Sequence, residues 1–354
     1  MSTKPITVGI VGAGHIANQR HIPNFREAGA EVVAIADVVG DRAVRLAAEW
    51  NVPHVFDNYL DMLDLPDLDV VSICVPPFVH EAVAVAAFEA GKHVYLEKPP
   101  AMNEEEMTCI VAAGRKAGKL LMAGSNTVYW NQTQALKRVI DSGALGDIYL
   151  VKSLGAGRRN IPRGWFRQRR LSGGGVGMDG GSHTLDRTLF LLDTPTPVAV
   201  TARTYDHFAD YIPKRGYLAI DIEEGTEQDV PRMDVEDTVV AFIQFENDCT
   251  LILEAAWASN ILGGGGLWMY GTKAGATLNP LMMYSENDDG ELSDMPIDFE
   301  PGPQTHVEAF AHFLECITEG KETQSPGERS IVTMRILDAI YNSAAAGGRE
   351  VCLV

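Results

Sequence analysis

The chain of 354 residues is longer than one hydrophobic core usually organises, so two domains are expected. Its 29 Lys and Arg residues against 48 Asp and Glu residues give a formal net charge of -19 at pH 7. A protein with this charge repels the phosphates of nucleic acids and the anionic surface of a membrane, so neither is an expected partner.

The cysteine pattern and the first residues indicate a reducing compartment. Widely spaced cysteines without any Cys-x-x-Cys pair argue against a disulfide framework and a zinc cluster; they are Cys74, Cys109, Cys249, Cys316 and Cys352. The N-terminal segment MSTKPITVGIVGAG leads straight into a strand pattern, and no apolar run approaches the ~18 residues of a membrane span. We therefore expect a cytoplasmic protein without a bound metal.

Apolar, β-branched runs alternate with helical patterns in the first third of the chain. Strands are expected at residues 6–11, 32–36, 70–75, 94–96 and 119–124, and a helix at residues 104–117. This alternation predicts βαβ units and a parallel sheet covered by helices on both faces. We therefore expect an α/β protein whose residues 1–125 form a doubly wound Rossmann domain.

Strand patterns follow one another in residues 126–354, which favours an α+β domain with a large, mostly antiparallel sheet. Helices are expected at residues 128–142, 183–192, 306–319 and 327–345, and exposed acidic loops at residues 220–237 and 285–296. These helices are too few to cover both sheet faces. The open face predicts a homodimer or homotetramer, and the alternative is a monomer whose closing helices cover that face.

The first strand pattern ends in GAGHIA, residues 12–17, a G-x-G-x-x-A motif placed before a helix. Gly12 permits a tight turn, Gly14 lets the backbone approach a pyrophosphate, and Ala17 allows close packing of helix and strand. The N–H groups of the helix start offer hydrogen bonds to the anion. The motif therefore predicts a dinucleotide site, and the alternative is a glycine turn that binds nothing.

Asp37 ends the second strand pattern, 25 residues after Gly12. A carboxylate at this position accepts hydrogen bonds from the adenosine ribose hydroxyls and repels a 2′-phosphate. The sequence therefore favours NAD over NADP, although Arg42 lies nearby in sequence. The alternative is that Asp37 only caps a helix or turn.

Several motifs together resemble the glucose-fructose oxidoreductase / inositol dehydrogenase family (Gfo/Idh/MocA). They are GIVGAGHIA, ICVPPFVHEAVAVAAFEAGKHVYLEKP, GGGVGMDGGSHTLDRTLFLL, VEDTVVAFIQFEN and FLECITEGKETQSPGERSIVTMRILDAIYNSA. The resemblance spans nearly the whole chain. It implies an N-terminal dinucleotide-binding domain, a C-terminal open-faced sheet that often mediates oligomers, and hydride transfer to or from a sugar, polyol, inositol or related compound.

Within this resemblance, Glu97, Lys98 and Pro99 form the EKP element at the end of a strand. Ligands of doubly wound sheets lie outside the carboxyl ends of the strands, and Pro99 keeps Lys98 out of helical geometry. The family pattern implies that Lys98 acts in catalysis or orients the substrate, with Glu97 near the nicotinamide; a surface salt bridge is the alternative. Further cofactor contacts are expected from His15, Ile16, Val75, Pro76, His80, Glu97, Lys98 and Asn126.

Asp179 and His183 stand four residues apart and share one face if a helix begins near residue 178. The neighbouring glycines keep bulk away from that face, which suits a substrate lying against the backbone. His183 is suited to take the proton of a secondary alcohol near neutral pH, and Asp179 to orient the substrate or stabilise the imidazolium. The alternative is a helix cap and a packing histidine.

The sequence departs from the family where many members have an Arg-aromatic pair, since Val128 stands in the place of the Arg. Substrate contacts therefore do not transfer simply. The basic segment RRNIPRGWFRQRR, residues 158–170, either lines the substrate pocket, with Trp165 as a contact, or forms a solvated loop or a subunit contact.

An NAD-dependent sugar or polyol dehydrogenase is the function that these residues favour. Two alternatives remain open: a glycosidase that oxidises and re-reduces its sugar with a tightly held NAD, and a dinucleotide sensor without catalysis. A sensor is expected to lack Lys98 or His183, and both residues are present.

Overall fold

The computed structural model describes residues 4–212, 232–287, 289–300 and 306–353. The chain divides into two compact units, Met1–Tyr129 with Thr305–Ile331 and Trp130–Gln304 with Val332–Val354. The first unit therefore includes part of the segment that the sequence pattern groups with the second domain.

The first unit contains a six-stranded parallel sheet in the order β3-β2-β1-β4-β5-β6. This is the strand order of a Rossmann fold, and it confirms the predicted doubly wound sheet. All five residues of the central strand β1 are buried, as expected when helices cover both sheet faces. The strands are β1 (Thr7–Val11), β2 (Glu31–Ala36), β3 (His54–Phe56), β4 (Val70–Ile73), β5 (His93–Leu96) and β6 (Leu121–Ala123).

The second unit contains a nine-stranded sheet that is mostly antiparallel, in the order β14-β13-β12-β11-β7-β10-β9-β8-β15. Only the β10 to β7 pair is parallel among the pairs described. The strands are β7 (Ile148–Ala156), β8 (Pro197–Tyr205), β9 (Thr238–Phe245), β10 (Thr250–Ala256), β11 (Gly264–Gly271), β12 (Ala274–Thr277), β13 (Met282–Glu286), β14 (Leu292–Pro296) and β15 (Val351–Cys352).

The helices expected at residues 104–117, 128–142, 183–192, 306–319 and 327–345 are found close to those positions. The helices of the described residues are α1 (Ile22–Glu27), α2 (Gly40–Trp50), α3 (Tyr59–Leu63), α4 (His80–Glu89), α5 (Glu104–Ala117), α6 (Asn131–Asp141), α7 (Arg169–Ser172), α8 (Ser182–Leu191), α9 (Val307–Glu319) and α10 (Gly327–Ala345). Three short 3₁₀ turns cover Pro77–Val79, Asn126–Tyr129 and Gly164–Arg167.

Two π-helical turns lie next to predicted site residues or contain one. One turn, Ala17–His21, leads into α1, and the other, Gly177–Gly181, leads into α8. Pro23 lies at the start of α1, directly after the first π turn. Because proline has no N–H to donate, one helical hydrogen bond is missing where the π turn passes into α1.

One of the two predicted acidic loops contains strand residues at both of its ends. Residues 285–296 contribute to β13 and β14, which pair as an antiparallel hairpin at the edge of the second sheet. The loop interpretation was wrong because an edge strand with solvent on both faces carries polar residues and loses the apolar alternation of a buried strand. Most of the other stretch, residues 220–237, lies outside the described residues.

One face of the second sheet exposes large apolar side chains. On β9, Val240 and Phe242 are 40% and 42% exposed, while Val239, Ala241 and Ile243 between and beside them are buried. This alternation is the pattern of a sheet with one face on the core and one face in solvent.

No helix of the described residues is long and apolar enough to cross a membrane. Within the same part of the chain, no group of three or more His, Cys, Asp or Glu side chains is placed to hold a metal ion.

Candidate active site

The glycine turn follows β1 at the carboxyl end of the first sheet. Gly12 has a φ of +100°, and a Cβ at this position would lie 2.7 Å from the carbonyl oxygen of Cys74, so a side chain is excluded on both grounds. A Cβ on Gly14, by contrast, would have no described protein atom within 4 Å. The space beside Gly14 is therefore open to a ligand, as the predicted approach of a pyrophosphate requires.

Asp37 stands at the end of β2 with both carboxylate oxygens engaged by the backbone. Ala13 N–H donates to Oδ2 at 2.7 Å, and Val39 N–H donates to Oδ1 at 2.8 Å. Asp37 therefore does cap the glycine turn. Each carboxylate oxygen can accept more than one hydrogen bond, so the same group can also accept from ribose hydroxyls.

The other predicted cofactor residues of the first unit differ in their exposure. His15 is exposed, and Ile16, Val75 and Pro76 are partly exposed, so a ligand can reach them. His80 is fully buried, with Nδ1 3.2 Å from the carbonyl oxygen of Pro100 and Nε2 2.7 Å from that of Val75. Burial lowers the pKa of His80. The observed contacts of His80 join two loops at the carboxyl end of the sheet. A direct contact between His80 and a cofactor stays a prediction.

Glu97 and Lys98 follow β5 directly, at the same edge of the sheet. The N–H of Lys98 donates to Oε2 of Glu97 at 3.0 Å, and Oε1 of Glu97 lies 2.8 Å from Nε2 of His21. Lys98 is partly buried, and the Lys98–Pro99 peptide bond is cis. No local sequence pattern reveals the partnership of His21 with Glu97, because 76 residues separate the two.

Asn126 lies in the 3₁₀ turn after β6 and is held by a residue from the far end of the chain. Its Nδ2 lies 2.6 Å from Nε2 of His306, and burial lowers the pKa of His306 to about 4. His306 is therefore neutral at physiological pH and its Nε2 can accept the bond. Oδ1 of Asn126 is buried and has no hydrogen-bond partner among the described residues, so it can accept one from a ligand.

These features fit a dinucleotide. The open space at Gly14, the carboxylate at the end of β2 and the buried acceptor on Asn126 lie on the strand-end segments where Rossmann folds bind NAD.

In the second unit, Asp179 lies in the π turn before α8 and His183 in the first turn of α8. Both side chains are partly exposed. Nε1–H of Trp257, just after β10, donates to Oδ2 of Asp179 at 2.9 Å. A sequence pattern does not reveal this tryptophan, because 78 residues separate it from Asp179.

A buried carboxylate fixes the loop that precedes Asp179. Oε1 of Glu236 accepts N–H bonds from Gly175 and Gly177 at 2.9 and 3.0 Å and the hydroxyl of Tyr341 at 2.9 Å. Burial raises the pKa of Glu236. A Cβ on Gly174 would collide with the Tyr341 hydroxyl, and one on Gly175 with the Glu236 backbone. At these two glycines the absence of a side chain makes room for Tyr341 and Glu236.

The basic segment 158–170 is largely engaged in contacts within its own unit. Arg167 is 1% exposed and donates to the carbonyl oxygens of Ala209 and Tyr211 at 3.0 and 3.1 Å. The Arg169 guanidinium lies 3.7 Å from the Glu236 carboxylate. Trp165 is partly exposed and stacks on Phe166, with ring centroids 3.8 Å apart. These arginines stabilise the fold, and Trp165 remains accessible to a ligand.

Comparison with known proteins identifies the family. Residues 6–125 match the profile of an oxidoreductase family with an NAD-binding Rossmann fold, and residues 133–277 match the Gfo/Idh/MocA C-terminal domain. The chain is 32% identical to D-glucoside 3-dehydrogenase of Escherichia coli (strain K12), over 99% of this chain and 98% of that protein. It is 27% identical to levoglucosan dehydrogenase of Pseudarthrobacter phenanthrenivorans, over 71% of this chain and 67% of that protein.

Among solved structures, the aldose-aldose oxidoreductase of Caulobacter crescentus has a similar fold. The TM-score is 0.80 at 24% identity, covering 99% of this chain and 100% of that chain. Both domain profiles, the full-length relative and the strand order of both sheets agree, and the chain belongs to the Gfo/Idh/MocA family of NAD-binding oxidoreductases.

Proposed function

We propose that this protein oxidises a secondary hydroxyl of a sugar or sugar derivative to a ketone, with NAD as the electron acceptor. The observation that carries the proposal is the Asp179 and His183 pair at the start of α8, with Trp257 bonded to the carboxylate. Two relatives support the substrate class, because they are named D-glucoside 3-dehydrogenase and levoglucosan dehydrogenase, and both names refer to sugar derivatives.

His183 is the proposed general base. Oxidation of a secondary alcohol removes a hydride from carbon and a proton from oxygen, and the imidazole accepts that proton while the C–O bond becomes a carbonyl. Histidine is the residue type whose ordinary pKa lies nearest to neutral pH, which suits it to accept and release a proton in this reaction. NAD⁺, when bound, supplies the hydride acceptor.

Asp179 is the proposed orienting group. Trp257 donates to Oδ2, and because a carboxylate can accept several hydrogen bonds, the same group can also accept one from a substrate hydroxyl or from the imidazolium formed on His183. The Glu236 bonds to the preceding loop hold the backbone from which Asp179 projects. This support limits the entropy lost when the substrate binds.

Lys98 is the proposed hydrogen-bond donor to the reacting oxygen. Its ammonium stabilises negative charge that develops on that oxygen as the proton leaves. Its backbone N–H is fixed by Glu97, which limits the freedom of the residue at the strand end. Glu97, Asn126 and Trp165 are proposed contacts to the nicotinamide half of the cofactor and to the substrate.

A substrate screen tests the proposal. The purified protein is incubated with NAD⁺ and with alkyl glucosides, anhydrosugars, inositols, aldoses and uronates, and NADH is followed by its absorbance. We expect NADH formation with at least one class that offers a secondary ring hydroxyl, and its loss in His183→Ala. NADH formation that persists in His183→Ala would remove the proposed base.

We further propose that the open sheet face pairs copies of this chain into a homodimer or homotetramer. Phe242 pairs in register with Ile252, Ile252 with Lys152, and Lys152 with Trp268, so that one row of side chains crosses four strands. Exposed apolar faces of this kind commonly mark subunit interfaces. Light scattering at micromolar concentration tests the assembly, and a single species near 38.5 kDa would contradict it.

The cytoplasm is the proposed location. All five cysteines are free thiols, which fits a reducing compartment. Fractionation of cells that produce the protein tests this assignment, with recovery in the cytosolic fraction as the expected result.

A further inference from the structure

His21 lies at the end of the first π turn with both ring nitrogens engaged by polar groups. Its side chain is fully buried. Nδ1 lies 2.7 Å from Oγ of Ser72 on β4, and Nε2 lies 2.8 Å from Oε1 of Glu97. The imidazole therefore bridges two strand ends of the first sheet.

The Glu97 carboxylate continues this connection to the proposed catalytic lysine. Its second oxygen, Oε2, accepts the backbone N–H of Lys98 at 3.0 Å. The Glu97 N–H donates to the carbonyl oxygen of Ile73 at 3.1 Å, which fixes its backbone to β4. A continuous set of contacts therefore runs from Ser72 through His21 and Glu97 to the backbone of Lys98.

Aromatic rings enclose the imidazole and fix its orientation. Tyr95 and Phe310 contact it edge to face, with ring centroids 5.6 and 5.1 Å away, and Phe25 lies tilted at 6.4 Å. A ring packed in this way cannot rotate to find other partners without opening the core. The bond to Glu97 is therefore a fixed feature of the fold.

The groups that face His21 favour its charged form. Burial by itself lowers the pKa of His21. Cys74, which follows β4, and Glu97, which follows β5, have a larger opposite effect, so the pKa is raised. Burial raises the pKa of Glu97, but His21 and then Lys98 outweigh burial and lower it. The remaining titratable or charged neighbours are Arg20, which precedes His21, Tyr95 on β5, His80 on α4 and His306 before α9.

We propose that His21 is a positioning residue that, as an imidazolium paired with Glu97, holds the strand end from which Lys98 projects. This role deepens the proposed function and rests on it for its kinetic consequence only. The alternative is a neutral packing histidine. If His21 is neutral, its removal should reduce stability but should not move the pKa of Glu97 into the range of the pH profile.

Nuclear magnetic resonance tests the charged pair without any substrate. The protein is labelled with ¹⁵N-histidine, and the ring nitrogens of its nine histidines are recorded at pH 8. We expect one ring with both nitrogens protonated, which disappears in His21→Gln. If the signal lost in that variant is the signal of a neutral ring, the ion pair does not exist and the proposal is overturned. This outcome does not depend on the identity of the substrate.

Steady-state kinetics then tests positioning. Because glutamine keeps an N–H donor but no charge, we expect His21→Gln to lower kcat about 10-fold with little change in the KM for the sugar. Burial should then raise the pKa of Glu97, so a new loss of kcat should appear below about pH 6. The double variant His21→Gln, Glu97→Gln should lack this loss.

Phe25→Leu serves as the matched control, because it loosens the same aromatic cluster and leaves the pair intact. We expect it to lower the melting temperature and to keep the wild-type pH profile. An unchanged pH profile in His21→Gln, or the same new acidic loss in Phe25→Leu, would overturn the positioning role. If His21→Gln does not fold, Ser72→Ala replaces it and should lower kcat more weakly, while an unchanged kcat overturns the role.

Discussion

Trp257 and Asp179 are joined by a hydrogen bond of 2.9 Å from the indole Nε1–H to Oδ2 of the carboxylate. The tryptophan ring is buried and follows β10, so the donor is fixed by the sheet of the second unit. The orientation of Asp179, four residues before His183, is therefore set by a strand that lies far away in sequence.

We expect Trp257→Phe to lower kcat about 10-fold, because the ring volume is nearly kept while the carboxylate loses its fixed donor. Steady-state kinetics with the substrate found by screening measures the change. Trp50→Phe is the matched control, since it removes an indole N–H that donates to Asn18 at 2.8 Å in the other unit. Equal losses in both variants would show a general effect of indole removal.

Lys98→Ala and His183→Ala should each lower turnover about 100-fold or more, the scale of lost acid-base catalysis, while the affinity for NAD stays nearly unchanged. Turnover is measured across the pH range, and NAD affinity by fluorescence titration. Thr184→Ala, which alters the residue after His183 on α8, is the control and should retain activity. A His183→Ala variant that keeps most of its turnover at every pH would restore the packing interpretation of this histidine.

The enzyme should prefer NAD over NADP by at least about tenfold, or about 1.4 kcal/mol, because Asp37 repels a 2′-phosphate. Val38 beside it is 89% exposed, so Asp37→Ser with Val38→Arg should shift the preference toward NADP. The ratio of kcat/KM for the two cofactors measures the shift. Val44→Arg adds the same charge at another exposed site and should leave the ratio unchanged. Equal use of both cofactors by the wild type would contradict the role of Asp37.

Glu236→Ala should lower the free energy of unfolding by about 3 kcal/mol, because it leaves buried donors of Gly175, Gly177 and Tyr341 without an acceptor. Tyr341→Phe removes one of these bonds and should cost about 1 kcal/mol. Denaturant titration measures both values. Equal, small effects of the two changes would mean that the carboxylate does not organise this loop.

The stability supplied by His21 should depend on pH. Its pKa is raised above the ordinary 6.5 to about 10, since Cys74 and Glu97 outweigh burial, so protonation stabilises the folded protein. This contribution is complete below about pH 6.5 and is lost as the pH rises through about 10. The difference in melting temperature between the wild type and His21→Gln should therefore shrink from pH 6.5 to pH 10. A difference that grows over this range has the wrong sign for the ion pair.

Local signals in the sequence predicted five of the six strands of the first sheet and the helices expected at residues 104–117, 128–142, 183–192, 306–319 and 327–345. Helix α5 has the expected bounds because Asn103 caps its first turn by accepting the N–H of Glu106, and Gly118 ends it with a φ of +62°. The glycine turn and Asp37 were also recognisable, since the chemistry of that site lies within a single βαβ unit.

The contacts that support the site could not be predicted in the same way. His21 with Glu97, Asn126 with His306, and Asp179 with Trp257 join residues 76 to 180 positions apart. Such pairs depend on strand order and on the return of the chain, and no local pattern encodes them. The short elements β3 and α3 were missed because runs of three and five residues are too brief for periodicity.

Product analysis tests the central claim most directly. The protein is incubated with NAD⁺ and the best sugar found by screening, NADH is measured by absorbance, and the products are identified by mass spectrometry. We predict equal amounts of NADH and of a keto sugar that has lost two hydrogens, with both formed about 100-fold more slowly, or slower still, by His183→Ala. Cleavage of a glycosidic bond without net NADH, or equal NADH formation by His183→Ala, would contradict the account.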